Sequence, residues 1–339
     1  MKRHITIKDI AKELGISTST VSRALADRWD VNEETRKLVL ETAERLDYHP
    51  NPLAVALITK QSKTIGLVIP EFQNSFFPTV INSIQKVLNE NGYQLLITQS
   101  NESIETEEKN LRLLENSMVD GIIISITREG ENPELYKELQ DRGIHLVFFN
   151  RVCPSIEAPK VIIDDYEMSF KAVEHLIQSN CKKIAHLAGP PYLDLTQKRK
   201  QGYMDALKKY DMPIQEKLIV TAGVMLEKGA IATEELLKSG EEFDGIFAFN
   251  DPVAIGAMKV MKAKGLRIPE DVAIVGFSES RSATIIEPNL TSVAQPLAEM
   301  GLTAAELMLK LLRKRYIEQN VVQLNATLNI RESSSNRNT

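Results

Sequence analysis

Cysteine is scarce in this sequence: Cys153 and Cys181 are the only two in 339 residues. That excludes a disulfide-stapled fold and fits a reducing compartment. Two cysteines and five scattered histidines also make no zinc-ligand cluster. No uncharged apolar run reaches about 18 residues, so no membrane span is expected. The N-terminus, Met1-Lys2-Arg3-His4-Ile5-Thr6-Ile7-Lys8-Asp9, never opens into the apolar stretch of a secretory signal, and a cytoplasmic location is expected. A basic excess is missing too: 41 Lys and Arg stand against 46 Asp and Glu, a formal net charge of −5. A chain coated in positive charge is thereby excluded, but a small DNA-binding module at one end is not. There is no G-x-S-x-G elbow, no G-x-x-x-x-G-K-[ST] phosphate loop and no H-E-x-x-H motif. The expectation is a protein that is not an enzyme, with no catalytic residues, metal or cofactor.

The apolar share of 43% is enough to bury sizeable cores. The length suits about two or three domains of roughly 100–200 residues each. Residues 1–49 carry helical patterns only. Residues 50–63 form a connector opened by Pro50 and Pro52. From Thr64 onward, strand-like runs alternate with helical patterns, the mark of parallel sheets flanked by helices. The runs lie at 65–69, 94–98, 121–126, 146–149, 161–163, 183–187, 218–221, 245–249 and 273–276. These are too many for one ordinary open sheet, so two α/β lobes spanning 64–331 are expected. Val119-Asp120-Gly121-Ile122 and Phe243-Asp244-Gly245-Ile246 echo each other at similar places in the two series. Residues 321–330 alternate like a strand after a long helix, 297–315, and such late pieces can complete sheets begun earlier. The polar tail, 332–339, is expected to be disordered.

The first zone reads as three short helices. Thr6 caps residues 7–14, with Asp9 three positions on, and Gly15 ends that helix. Ser17 caps 18–26 and Asn32 caps 33–46. Ile10, Leu14, Val21, Leu25, Val31, Leu38 and Leu46 are spaced for one shared core. Two short helices joined at Gly15-Ile16-Ser17 have the form of a helix-turn-helix, which offers its second helix to the major groove. Ser19 and Arg23 share one face of that helix. Arg23 suits guanine, and Thr18 and Ser19 suit base edges with less discrimination. Ser17, Thr20 and Ser22 suit phosphate oxygens. Residues 1–30 hold six basic side chains (Lys2, Arg3, Lys8, Lys12, Arg23, Arg28) against four acids (Asp9, Glu13, Asp27, Asp30). Non-specific affinity for DNA should therefore be modest. The competing interpretation is a plain three-helix cap.

The wording Ile7-Lys8-Asp9-Ile10-Ala11-Lys12-Glu13-Leu14-Gly15-Ile16-Ser17-Thr18-Ser19-Thr20-Val21-Ser22-Arg23-Ala24-Leu25 resembles the opening of LacI/GalR-family bacterial transcription regulators. So do Val31, Thr35-Arg36 and Leu46-Asp47-Tyr48-His49-Pro50-Asn51. The resemblance continues through Ile65-Gly66-Leu67-Val68, His186-Leu187-Ala188-Gly189-Pro190, Phe249-Asn250-Asp251, Ile274-Val275-Gly276-Phe277 and Pro288-Asn289-Leu290-Thr291-Ser292-Val293, covering about residues 5–331. It implies a small all-α helix-turn-helix domain followed by an α/β two-lobed, periplasmic-binding-protein-like (type I) domain. It further implies a repressor of a carbohydrate-use operon, acting as a homodimer on palindromic operator DNA. Its operator affinity would answer to a small-molecule, carbohydrate-derived effector. The connector would be a hinge helix that forms on DNA, with Leu57 as a minor-groove wedge, Ala54 one turn earlier facing the partner, and Asn51 on phosphate. An isolated helix of that length is marginal in water.

In parallel α/β sheets, ligands bind beyond the carboxyl ends of strands. Residues 71–77, Asn150-Arg151, Asn250-Asp251 and Phe277-Ser278-Glu279 occupy such ends. Each polar one is also a candidate cap for the next helix, Asp251 in particular, and each aromatic a candidate core residue. The resemblance assigns ring stacking to Phe76 and Phe77 and polar effector contacts to Asn150, Arg199 and Asn250, with Gln295 nearby. Ser278 stands where sugar-binding relatives often carry aspartate. Val224 lies nearest the position of a ligand-stacking tryptophan in some relatives. The charge of the effector stays open: Arg151 and Arg199 suit an anion, whereas Glu71, Asp251 and Glu279 suit a neutral sugar. Two other functions share this body plan. One is a global regulator answering to a phosphorylated carrier protein; the other is a solute-binding protein, which the N-terminal module opposes. No heptad repeat follows Arg331, so no tetramerising tail is expected.

Overall fold

The computed structural model describes residues 5–49, 61–128 and 132–335. The chain divides into two compact units, Met1–Ser62 and Lys63–Thr339.

The first unit packs α1 (Ile7–Leu14), α2 (Thr18–Leu25) and α3 (Glu33–Arg45) around Ile10, Ala11, Val21, Ala24, Val31, Val39 and Ala43. Each helix start is locally encoded. The backbone N–H and hydroxyl of Thr6 both donate to Asp9 Oδ2, at 2.9 and 2.7 Å. Ser17 Oγ accepts from Thr20 N and Asn32 Oδ1 from Thr35 N. Gly15, at φ +65°, ends α1 in a conformation that a side chain would strain. One expected core residue is displaced: Leu38 is exposed, and Val39 takes its place because residues 39, 43 and 46 share the inward face.

The second unit contains two six-stranded sheets. The first lobe pairs β1 (Thr64–Ile69), β2 (Gln94–Gln99), β3 (Gly121–Ile124), β4 (His145–Phe149), β5 (Lys160–Ile163) and β11 (Val321–Leu324) in the order β11-β5-β4-β3-β1-β2. Its helices are α4 (Phe76–Glu90), α5 (Ile104–Asn116), α6 (Pro133–Asp141) and α11 (Leu297–Leu312). The second lobe pairs β6 (Ile184–Ala188), β7 (Ile219–Thr221), β8 (Gly245–Ala248), β9 (Ala273–Phe277), β10 (Thr291–Ala294) and β12 (Thr327–Asn329) as β12-β10-β9-β8-β6-β7. Around it lie α7 (Asp165–Gln178), α8 (Asp194–Lys209), α9 (Leu226–Lys238) and α10 (Asp251–Ala263). All pairings are parallel except β10 with β12. The chain crosses between lobes after β5, after β10 and between β11 and β12. The alternation seen at 321–330 is therefore two strands, one for each lobe. β10 was not legible as a strand.

The repeated Val/Phe-Asp-Gly-Ile wording has one physical role in both lobes. Asp120 Oδ2 accepts from Lys63 N, 3.0 Å, at the start of β1. Asp244 accepts from Lys182 and Lys183 N, 2.8 Å each, at the start of β6. Each aspartate anchors the neighbouring strand's entry.

The tail departs from expectation. Ser333 and Ser334 are fully buried. Ser333 Oγ donates to Ile274 O, 2.6 Å, and accepts from Thr291 N, 2.8 Å. Ser334 Oγ meets Thr291 Oγ1 and His175 Nε2 at 2.6 and 2.7 Å. Small hydroxyls complete polar groups that the second sheet would otherwise leave unsatisfied, so composition misleads here. Residues 336–339 lie outside the described residues.

Candidate functional site

In the first unit, Val21 and Ala24 turn α2 onto the core, while Ser17, Thr18, Ser19 and Arg23 stay exposed and Thr20 and Ser22 are half-buried. Ser17 Oγ lies 2.7 Å from Ser19 Oγ and 2.8 Å from Thr20 Oγ1, so three expected DNA-contacting hydroxyls form one chain of hydrogen bonds. Arg23 Nε donates to Ser19 O at 3.2 Å, which brings the expected base readers together. Its Nη1 donates to Asp30 Oδ2 at 3.0 Å. The sequence reading missed that partner, because Asp30 sits beyond α2 in the following turn. Asn51, Ala54 and Leu57 lie outside the described residues.

In the second unit, Phe76, Phe77, Asn150, Arg199, Asn250, Ser278 and Gln295 all line one cavity between the lobes. Glu71, Arg151, Leu195, Val224, Phe249 and Ser280 complete the lining. The cavity measures about 60 Å³. Small-molecule sites commonly occupy about 300–1,000 Å³, so admitting a ligand requires the lobes to part. Contacts among the described residues already bridge the lobes. The Arg128 guanidinium lies 4.4 Å from the Tyr192 ring centroid, and Asn74 Nδ2 lies 3.9 Å from Met225 Sδ.

The lining residues differ in how free they are. Phe77 is a core residue, edge-on to Phe76 at 4.9 Å and to Phe149 at 6.3 Å. Asn250 is the N-cap of α10: Oδ1 accepts from Val253 N, 3.0 Å, and Nδ2 donates to Val224 O, 2.9 Å. Asp251, the expected cap, instead accepts from Ser292 Oγ at 2.6 Å and from Ser280 N. Burial pushes its carboxyl up to about 6. Gly276 makes this possible, since a Cβ there would meet Asp251 Oδ1 at 2.4 Å. The clamp holds Ser278 (φ +118°) and Glu279 (φ +55°) in left-handed backbone beside the cavity. Gln295 Oε1 is buried with no hydrogen-bond partner among the described residues, an acceptor on the cavity lining.

Both cleft arginines are already paired. Arg199, almost fully buried, donates to Asp165 Oδ1 from Nε and Nη2 at 2.8 and 2.7 Å, and from Nη1 to Phe249 O. Its guanidinium lies 3.6 Å from the Phe277 ring centroid. Burial pushes the Asp165 carboxyl up while the arginine beside it pulls it down. Arg151 grips both oxygens of Glu102 at 2.8 and 2.9 Å. Each positive charge of the cleft thus already has an internal carboxylate. Asp164-Asp165 carried the missed signal. Asp164 caps α7, accepting from Glu167 N at 2.9 Å, whereas Asp165 turns inward to Arg199. Glu71, also buried, is pushed up by desolvation against the hydrogen bonds from Asn74.

A helix-turn-helix unit and a two-lobed α/β unit have matching family models. Residues 6–51 match bacterial regulatory proteins of the lacI family, and residues 62–332 match the periplasmic binding proteins and sugar binding domain of the LacI family. The chain belongs to the LacI family. It is 33% identical to catabolite control protein A of Priestia megaterium over 98% of this chain and 99% of that one. It is 32% identical to the ribose operon repressor of Bacillus subtilis, covering 95% and 96% of the two chains. Among solved structures it resembles the transcriptional regulator CelR in complex with cellobiose, with TM-score 0.74 and 29% identity over 97% of this chain and 99% of that one. LacI-family members are DNA-binding transcription regulators, not enzymes. Among the described residues, no helix is long and apolar enough to cross a membrane.

Proposed function

We propose that this chain is a cytoplasmic, homodimeric repressor of a carbohydrate-use operon, released from or driven onto a palindromic operator by an uncharged sugar in the cleft. The observation that carries the sugar's neutrality is the pairing of Arg199 with Asp165 and of Arg151 with Glu102. A carboxylate or phosphate would have to displace one of these partners or share a site of nearly balanced charge. A neutral polyol needs only hydrogen-bond exchange with groups such as Gln295 Oε1 and the amide of Asn150. Names among the relatives, a ribose operon repressor and a cellobiose complex, support the class. On the DNA side, Arg23, Thr18 and Ser19 read bases, while Ser17, Thr20, Ser22 and Asn51 hold phosphates. Leu57, with Ala54, wedges the minor groove. Phe76, Phe77, Asn150, Arg199, Asn250, Ser278 and Gln295 frame the effector.

The test is calorimetry against matched neutral and acidic sugars, coupled to operator binding. A neutral sugar should bind, with little dependence on salt, and change operator affinity. Exclusive binding of uronates or sugar phosphates would overturn the reading. A second reading, a global regulator answering to a phosphorylated carrier protein, draws on the likeness to catabolite control protein A. It predicts operator affinity that no sugar alters and that the carrier does.

A further inference from the structure

Trp29 is the single tryptophan of the chain and is 92% exposed, more than any other large apolar side chain among the described residues. Its backbone is nevertheless fixed. Val31 N donates to Arg28 O at 3.3 Å, closing a turn with Trp29 and Asp30 at its corners. Arg28 N donates to Arg23 O at 3.0 Å, which ties the turn to the end of α2. Arg36 Nη2, from α3, donates to the same Arg28 carbonyl at 2.7 Å, and Val31 sits in the core. A rigid turn thus presents an indole to water. Burying such a ring elsewhere would be strongly favourable, and fixed exposed tryptophans are typical anchors of recognition surfaces.

The side of the unit is set by the next residue. Asp30 Oδ2 receives Arg23 Nη1 at 3.0 Å, so the turn runs beside the face of α2 that reads DNA, not the face that packs on the core. Arg28, also exposed, adds positive charge on the flank. Asp30 is out of place on such a surface, because phosphates repel it. Its position explains it: with Ser19 O on Nε and Asp30 on Nη1, Arg23 is held at two points while Nη2 remains for a base.

We propose that the turn Arg28–Val31 is a second DNA-contacting element, resting on the assignment of α2 as the reading helix. Trp29 packs its indole on the deoxyribose and base edges beside the half-site. Asp30 is a positioning residue that weakens adhesion to random DNA and orients Arg23 for its base.

The single tryptophan makes its own reporter. The probe is the palindromic duplex that the full-length protein selects from a randomised pool, with a scrambled duplex of the same composition as control. Saturating the selected duplex should change Trp29 emission and shield it from acrylamide, and the scrambled duplex should do so far less. Trp29→Ala should weaken the selected duplex roughly tenfold, the scale of one lost aromatic contact with DNA. That loss should be equal at low and high salt, since an apolar contact releases no counterions. Thermal unfolding should be unchanged. Asp30→Asn should tighten the scrambled duplex, steepen the salt dependence and narrow the ratio between the two duplexes. Emission of the parent that ignores DNA, with an affinity that ignores Trp29→Ala, overturns the contact. Emission that follows protein concentration instead of DNA reassigns Trp29 to contact between copies and overturns it equally. An unchanged ratio in Asp30→Asn removes the positioning role. Arg23→Ala distinguishes the two assignments: unweakened binding there counts against α2 itself.

Discussion

Arg23 in the helix-turn-helix unit and Arg199 in the cleft between the lobes are each paired with an aspartate at hydrogen-bond distance, 3.0 and 2.7 Å. The settings are opposite. The side chains of Arg23 and Asp30 are 50% and 34% exposed; those of Arg199 and Asp165 are 4% and 10% exposed. In water the first pair is worth little and can be given up at small cost. In the buried cleft, removing either partner strands a charge. The same two residue types therefore serve a replaceable contact in one region and a fixed frame in the other.

The largest expected effect follows from breaking the buried pair. Asp165→Ala leaves Arg199 without its carboxylate in a dry site. It should destabilise the second unit by about 3–5 kcal/mol, read as a lowered urea midpoint with the effector response lost. Asp165→Asn, which keeps a hydrogen-bond acceptor, should cost less. A change below about 1 kcal/mol for Asp165→Ala would mean that water replaces the carboxylate and that the cleft is wetter than its burial indicates.

Next comes Asp251, buried in the same lobe but facing neutral donors. Its folded pKa is raised, to about 6 from 3.8, by burial first, against the hydrogen bonds from Ser292 and Ser280. A raised acid favours its protonated form in the folded state. The stability it contributes is present below about pH 4 and lost as pH rises through about 6, by about 3 kcal/mol for a shift of that size. Asp251→Asn keeps the shape and cannot ionise. Measured at a series of pH values, the variant should gain on the parent between pH 4 and 6. A difference that stays flat over that window would give Asp251 an ordinary carboxylate pKa and make the clamp on Ser280 purely a matter of shape.

The two regions were unequally legible in the sequence, for the same reason they respond unequally. Everything that shapes α1 and α2 acts over a few residues: Thr6 with Asp9, Ser17 with Thr20, Gly15 at positive φ. Spacing alone exposes such contacts. Strand ends are also legible, so the cavity's lining was anticipated while its wiring was not. Arg199 meets Asp165 across 34 residues, and Arg151 meets Glu102 across 49. Ser333 and Ser334 were misread because a serine run resembles a disordered tail until Thr291, 43 residues before Ser334, supplies its partner. Leu38 fell to a phase error of one residue, which turns a helix position by roughly 100° and suffices to move a side chain from core to solvent.

On the exposed side of the comparison, Arg23→Ala should leave stability within about 0.5 kcal/mol, as for most surface substitutions. It should cost about 1–3 kcal/mol on the selected operator and relax base preference at one position of each half-site. Competition between operator and single-base variants measures this. A large loss of stability with no loss of base discrimination would turn the pair with Asp30 into a structural one and erase the contrast with Arg199.

The smallest effect concerns a device the two regions share, the helix N-cap. Asn250 caps α10 from a buried position, and Ser17 caps α2 in the open. Ser17 caps α2 and is proposed to contact phosphate as well, and the two roles can be separated. Ser17→Ala removes the cap and should cost about 1 kcal/mol of stability, whereas Ser17→Gly should cost only a few tenths, because glycine tolerates the cap's extended backbone and leaves its amides open to water. Neither variant has a hydroxyl. If Ser17 binds phosphate, both should lose operator affinity alike, with the salt slope unchanged, because a neutral hydroxyl releases no counterions. If its hydroxyl serves only α2, affinity should instead track stability, with Ser17→Gly close to the parent and Ser17→Ala weaker. Plotting operator affinity against unfolding free energy for the parent and the two variants tells a shared loss from a graded one, even with effects this small.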